Sequence, residues 1–211
     1  MSREGKAKAL NESELKRVIK VISTSKHAKR NTALLYFSFG LGLRAKEMSS
    51  LNVDDVLNPD HSMKDELNLL SAYTKNAKQR HVYLSNPKVI KALKEYLSSL
   101  NLTYLDTPLF YSQKGGRFTP NTLQMLFARM YADAGIVGAS SHSGRRTYAT
   151  RLIENGVDIK AVSTLMGHAS ISMTAEYVHS CPERMKRIAQ IFKYTKLLVL
   201  KLIPNKILYN Y

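Results

Sequence analysis

Apolar residues three and four apart dominate this chain. In NESELKRVIKVI, Leu15, Val18, Ile19 and Ile22 share one helical face, and Asn11 followed three residues later by Glu14 is a capping-box signature that starts the helix. The next segment, KRNTALLYFSFGLGLRAKEMSSL, is apolar and broken by Gly40 and Gly42, which predicts a buried helix, a tight turn and a short helix beginning near Arg44. Between Leu67 and Leu84 the period changes: LNLLSAY and RHVYLS flank the polar tract TKNAKQ, as two strands joined by a turn do. Asn86-Pro87 opens the amphipathic helix KVIKALKEYLSSL, followed by the extended piece LFYS, the turn KGGR and a helix from about Pro120 to Ala134. Three further helices are predicted over HSGRRTYATRLIENG, with Gly156 as a C-cap candidate, DIKAVSTLMG, ended by Gly167, and SISMTAEYVH, before Pro182. The expected class is α+β, mainly α-helical with one small antiparallel hairpin.

No internal repeat and no Pro- or Ser-rich linker divides the chain, so one domain is expected over residues 11–190, after a basic leader at 1–10. The tail at 191–211, FKYTKLLVLKLIPNKILYNY from Phe192 on, mixes apolar residues with spaced lysines. It exposes too much Leu and Ile for a solvated end, so docking onto a neighbouring protomer or back onto its own core is expected. No run approaches the roughly 20 apolar residues of a membrane span, and the first residues lack a signal-peptide core. A soluble, cytoplasmic protein is expected. Cys181, the single cysteine, excludes an internal disulfide framework and a cysteine-rich zinc module.

Charge narrows the partner. Lys and Arg outnumber Asp and Glu by 32 to 16, a formal +16, and a field of that size draws polyanions, with nucleic acid the default. A basic protein of ribosomal or membrane-surface type has the same composition, so charge alone assigns no chemistry.

Four segments carry candidate chemistry. GLGLRAKEMSSL places a glutamate, Glu47, three residues after Arg44; YTKNAKQRHVYL places Lys75 and Lys78 around the hairpin turn; SHSGRRTYATRL holds His142 and Arg145 about one helical turn apart; and LMGHASISMTAEYVH puts Tyr177 nine positions after His168. Singly, each has a plain structural explanation: a surface ion pair, a phosphate contact, a capping histidine, one packed tyrosine among twelve. In this order they resemble the motifs of the tyrosine recombinase (phage integrase) family, and the resemblance covers nearly the whole chain apart from the tail. One departure is Gly144, where the family commonly has leucine, so the His-x-x-Arg box lacks an apolar anchor.

The resemblance implies the tyrosine recombinase catalytic-domain fold and a reaction in which Tyr177 attacks a DNA phosphorus. Arg44 and Arg145 would hold the non-bridging oxygens, since a planar, permanently charged fork suits phosphate better than a lysine does. His142 would act as base for Tyr177. Lys75, with Lys78 as its rival, would protonate the departing 5′-oxygen. His168 would donate a hydrogen bond to the phosphate, and Glu47 would orient its neighbours. Lys78, Arg80 and Arg146 are candidate DNA contacts, Arg146 pointing elsewhere on its helix than Arg145. A phosphotyrosyl link conserves the energy of the broken bond, so neither ATP nor any other cofactor is implied. The glycines form no nucleotide loop, and Asp54, Asp55 and Asp60 read as caps and solvated loop, so no metal site is expected.

Double-stranded DNA is the implied partner, with four protomers on two duplexes and a host DNA-bending protein as a further candidate. The N-terminal DNA-clamping domain of many family members is not matched by the leader, as in the family's minimal forms. A type IB topoisomerase, which shares this catalytic logic, and a degenerate integrase acting as a DNA-binding regulator are the alternatives.

Overall fold

The computed structural model describes residues 7–69 and 79–178, with Lys186, Ala189 and Gln190 beyond them. Helix α1 (Glu12–Ser23) begins at the capping box: the Asn11 side chain accepts from the Glu14 N–H at 2.9 Å and the Glu14 carboxylate from the Asn11 N–H at 3.1 Å. Two of the donors that every helix start leaves open are thereby satisfied. The strap before it belongs to the same body. Leu10 is buried in the core, and Lys8 donates its N–H to the Gly138 carbonyl at 3.0 Å, so the end of the basic leader is bound across the domain.

Helix α2 (Ala28–Gly40) is buried over most of its length, from Arg30 to Phe39, and is the central strut. Gly42, at φ 64°, turns the chain into α3 (Ala45–Ser50), for which Arg44 is the N-cap residue. A short 3-10 turn at Val53–Asp55, not foreseen from the sequence, follows; there Asp55 caps the Asn52 N–H at 2.8 Å. Strands β1 (Glu66–Leu69) and β2 (Arg80–Tyr83) pair antiparallel, Leu67 opposite Val82 and Leu69 opposite Arg80. The tip of this hairpin, with Lys75 and Lys78, lies outside the described residues.

Helix α4 (Pro87–Leu97) is capped by Asn86 and α5 (Pro120–Asp133) by Thr119, each with proline in its first turn. Between them, LFYS forms no ladder. It is held by the Leu109 N–H donating to Leu51 at 2.9 Å and by isolated bridges such as Tyr111 to Arg117. Helices α6 (Ser143–Glu154), α7 (Ile159–Met166) and α8 (Ser172–Val178) follow. Among the described residues, no helix is long and apolar enough to cross a membrane.

The apolar interior has two parts. The larger gathers α1 to α5 and the hairpin, with Phe110 edge-on to Phe37 at 5.3 Å and stacked on Tyr96 at 5.5 Å. The smaller consists of Ala149, Ile153, Val162 and Met166 from α6 and α7, with Tyr148, Leu152, Val157 and Tyr177 around it. What joins them is the close approach of α6 to α2. A Cβ at Gly144 would stand 2.2 Å from Ser38 Oγ and 2.7 Å from Phe39 Cδ2. The candidate site lies along this seam.

Candidate active site

Arg44 enters the site because Gly42 permits it. With φ 64° and a phantom Cβ only 2.7 Å from Tyr148, position 42 accepts no side chain, and the turn it makes carries Arg44 from the end of α2 to the start of α3. Glu47, one helical turn on, is fully buried; its carboxylate takes the Arg44 backbone N–H at 2.8 Å and the Arg44 Nη1 at 2.8 Å. It also takes Arg80 Nη2 at 2.7 Å from strand β2. Burial raises the carboxyl's pKa, but the charge and hydrogen bond of Arg80, the charge of Arg145 and the Arg44 N–H outweigh this, and Glu47 stays below the usual carboxylate range.

Arg145, on the first turns of α6, is 4% exposed. Its guanidinium donates from Nη1 to the Gly42 carbonyl at 2.6 Å and from Nη2 to the Met166 carbonyl, and so bridges the two halves of the domain. Burial first, then the charges of Arg44 and Arg80, push it down to about 9, with Glu47 opposing. Three guanidiniums thus share one buried carboxylate.

Gly167 ends α7 in the left-handed region at φ 58°, and a Cβ there would lie 2.5 Å from Arg80 Cδ. The turn presents the Gly167 carbonyl to Arg44 at 3.5 Å and the Leu165 carbonyl to Arg80 at 2.5 Å. His168 follows, its Nδ1 2.7 Å from the Thr174 hydroxyl. Burial, then Arg145, Arg44 and Arg80, push the imidazole down to about 4, so it is neutral at physiological pH.

Tyr177 on α8 stacks against His168, centroids 6.1 Å apart and planes inclined by 19°, and the Arg146 guanidinium stands 5.6 Å from the phenol centroid. The arrangement is a half-buried hydroxylated ring beside a cluster with more positive charge than its own acid neutralises. Such a cluster is preorganised for an anion.

The sequence pattern described as the phage integrase family matches residues 8–184. The chain belongs to the phage integrase family. It is 30% identical over 189 residues to tyrosine recombinase XerD of Oceanobacillus iheyensis, covering 87% of this chain and 61% of that protein. To tyrosine recombinase XerC of Pelobacter propionicus it is 31% identical over 160 residues, covering 75% of this chain and 50% of the relative. The chain therefore spans between about half and three-fifths of the length of these relatives. Among solved structures it is similar to the XerA recombinase, with a TM-score of 0.70 and 28% identity, covering 87% of this chain and 64% of that one. It is also similar to the XerH recombinase bound to a palindromic difH substrate after cleavage, with a TM-score of 0.67 and 25% identity, covering 89% and 54%. The mainly helical, single-hairpin fold is that of tyrosine recombinase catalytic domains.

Of the residues singled out in this phage integrase family chain, the structure brings Arg44, Glu47, Arg145, His168 and Tyr177 together. His142 stands exposed at the N-cap of α6, with Nδ1 3.4 Å from Ser141 Oγ. Lys75, Lys78 and the tail from 191 lie outside the described residues. Two readings change. Arg80, expected to contact DNA, is 6% exposed and holds Glu47 and the α7 turn. Arg146 points elsewhere than Arg145 and reaches the Tyr177 ring, because α8 packs on α6. Gly144 is no missing anchor, since the contact with Ser38 leaves room for nothing larger. The sequence reading also missed Thr174, the fully buried partner of His168, whose place three residues before Tyr177 on α8 was the available signal.

Proposed function

We propose that this chain is the strand-cleaving domain of a site-specific DNA recombinase, acting through a 3′-phosphotyrosyl intermediate on Tyr177. The observation that carries this is the excess of positive charge beside the phenol: Arg44, Arg80 and Arg145 around Glu47 among the described residues, with His168 kept neutral by burial and then by the same arginines. A phosphodiester bound there supplies the missing negative charge and relieves the repulsion that adds to burial in depressing Arg145 and His168.

Each guanidinium carries five N–H donors. The named bonds of Arg145 use two, to Gly42 and Met166, and those of the Arg44 side chain use two, to Glu47 and Gly167, so both are fixed in place with donors left for phosphate oxygens. With the Thr174 hydroxyl donating to Nδ1, the neutral His168 ring carries its proton on Nε2 and donates it to the phosphate. Tyr177 Oη attacks phosphorus as its proton passes to a base, a role for His142. The P–O5′ bond breaks, and the leaving oxygen takes a proton from Lys75 or Lys78. A 5′-hydroxyl from a second strand reverses the sequence, so no nucleotide hydrolysis is required. Double-stranded DNA, a tetramer on two sites and an accessory DNA-bending protein complete the proposal, with the tail as the segment exchanged between protomers.

The test is covalent capture. The protein is incubated with a pool of nicked inverted-repeat duplexes of randomised sequence, and DNA that stays attached through denaturing electrophoresis is recovered. Enriched sequences trapped by the parent and absent with Tyr177→Phe support the proposal. Site-independent plasmid relaxation would favour a topoisomerase, and sequence-specific binding without any adduct a regulator.

A further inference from the structure

We propose that Arg146 is the positioning residue for the nucleophile: its guanidinium, 5.6 Å from the Tyr177 ring centroid, seats the phenol against His168 and strengthens its hold as attack proceeds. The inference rests on the reading of Tyr177 as nucleophile.

The three arginines of the cluster are held by other acceptors: Arg44 and Arg80 by Glu47, and Arg145 by the Gly42 and Met166 carbonyls. Tyr177 lies beside them, close enough for its charge to be felt at Arg145, while the guanidinium at its ring is that of Arg146. It lies on α8, at the edge of the small apolar cluster whose buried members among the described residues are Ala149, Ile153, Val162 and Met166. Two contacts define its ring orientation: the near-parallel stack on His168 and the cation of Arg146.

These two contacts differ in what they do during the reaction. His168 is neutral, so its stack orients the ring without adding charge. Arg146 is permanently charged and is attracted to the electron-rich face of a neutral phenol. When Tyr177 attacks and loses its proton, negative charge develops on that same ring, and the attraction to the guanidinium grows. An interaction stronger in the transition state than in the ground state raises the rate of the chemical step rather than the affinity for DNA. Arg146 is placed for this by being adjacent to Arg145. The first turns of α6 thereby carry one arginine into the phosphate side of the site and the next toward the nucleophile.

Arg146→Gln and Arg146→Lys are compared with the parent and Tyr177→Phe in two measurements. In the first, carried out without DNA, the full-length chains are labelled with carbon-13 in their tyrosine rings, and the Tyr177 resonance is identified by its loss in Tyr177→Phe. It shifts or broadens in Arg146→Gln and stays near the parental position in Arg146→Lys. An unchanged resonance in Arg146→Gln, with the other tyrosines unmoved, overturns the inference whether or not the chain cleaves DNA. In the second, single-turnover adduct formation is followed on a captured duplex. Arg146→Gln slows it about tenfold, the scale of one half-buried cation–ring contact, with DNA affinity changed less than twofold, and Arg146→Lys recovers part of the rate. Equal losses of affinity and rate would make Arg146 a plain DNA contact. Failure of the parent itself to form an adduct would overturn the nucleophile reading instead, and the resonance of Tyr177 would still decide whether Arg146 holds the ring.

Discussion

Replacing Glu47 by glutamine removes the one carboxylate around which the site is built. Glu47 is fully buried and receives three hydrogen bonds, from the Arg44 N–H at 2.8 Å, Arg44 Nη1 at 2.8 Å and Arg80 Nη2 at 2.7 Å. Glutamine keeps the shape but turns one oxygen into an NH2 group, which then faces a donor, and deprives Arg44, Arg80 and Arg145 of the Glu47 charge. Breaking a buried, hydrogen-bonded ion pair from one side costs about 3–5 kcal/mol. In a chain of this size each kcal/mol lowers Tm by roughly 2–4 °C, so a fall of roughly 10 °C is expected in scanning calorimetry. A cycle with Arg80→Met isolates the cause. Because removal of one cation relieves part of the repulsion left by the glutamine, the double variant should be less damaged than the two singles together, by about 1–3 kcal/mol. A loss under about 1 kcal/mol for Glu47→Gln, or strictly additive effects, would refute the buried-network reasoning, since exposed pairs behave that way.

Three further outcomes follow from the same geometry. Gly144→Leu, which restores the residue common in the family, should destabilise the domain by at least about 2 kcal/mol in urea unfolding, because its Cβ starts 2.2 Å from Ser38 Oγ; an unchanged midpoint would show that α6 and α2 separate freely. Gly167→Ala should cost about 1–2 kcal/mol for the left-handed backbone alone and more for the Cβ pressed 2.5 Å from Arg80 Cδ, with loss of adduct formation; a fully active, equally stable variant would contradict the role given to that turn. For His168, the folded pKa of about 4 lies below the ordinary 6.5, so the unfolded chain binds more protons between these values. Its contribution is complete above pH 6.5 and is lost as pH falls toward about 4. Urea unfolding across that window should show a steeper acid decline for the parent than for His168→Gln, and parallel curves would count against the depressed imidazole.

Helix positions were legible because caps and periodicity agreed locally. Asn11 with Glu14, Asn86 with Pro87, and Gly167 each mark a boundary by chemistry that requires no tertiary context. The site was legible as a set of residue types in order, but not as a network. Arg80 looked like a surface cation in a basic hairpin, yet period-two alternation from the buried Val82 places it on the inward face. Gly144 was misread, and the partner of Arg146 went unseen, for a different reason. Each depends on which helix packs against α6, and neither Ser38 nor Tyr177 is a sequence neighbour. The 3-10 turn at Val53–Asp55 fell within what read only as a polar loop. Contacts across the seam between the two apolar clusters carry most of what the sequence could not show.

Mapping the covalent bond shows directly which atom joins DNA to protein. Captured adduct is digested with trypsin and nuclease, and the nucleotide-bearing peptide is sequenced by mass spectrometry, while the freed DNA strand is tested for a 5′-hydroxyl by enzymatic phosphorylation. Tyr177 as nucleophile predicts a nucleotide linked through its 3′-phosphate to that residue and, on the other side of the same break, a 5′ end that accepts a label. An adduct on another residue, a link to the 5′ side of the break, or a specifically bound duplex that never becomes attached would contradict it.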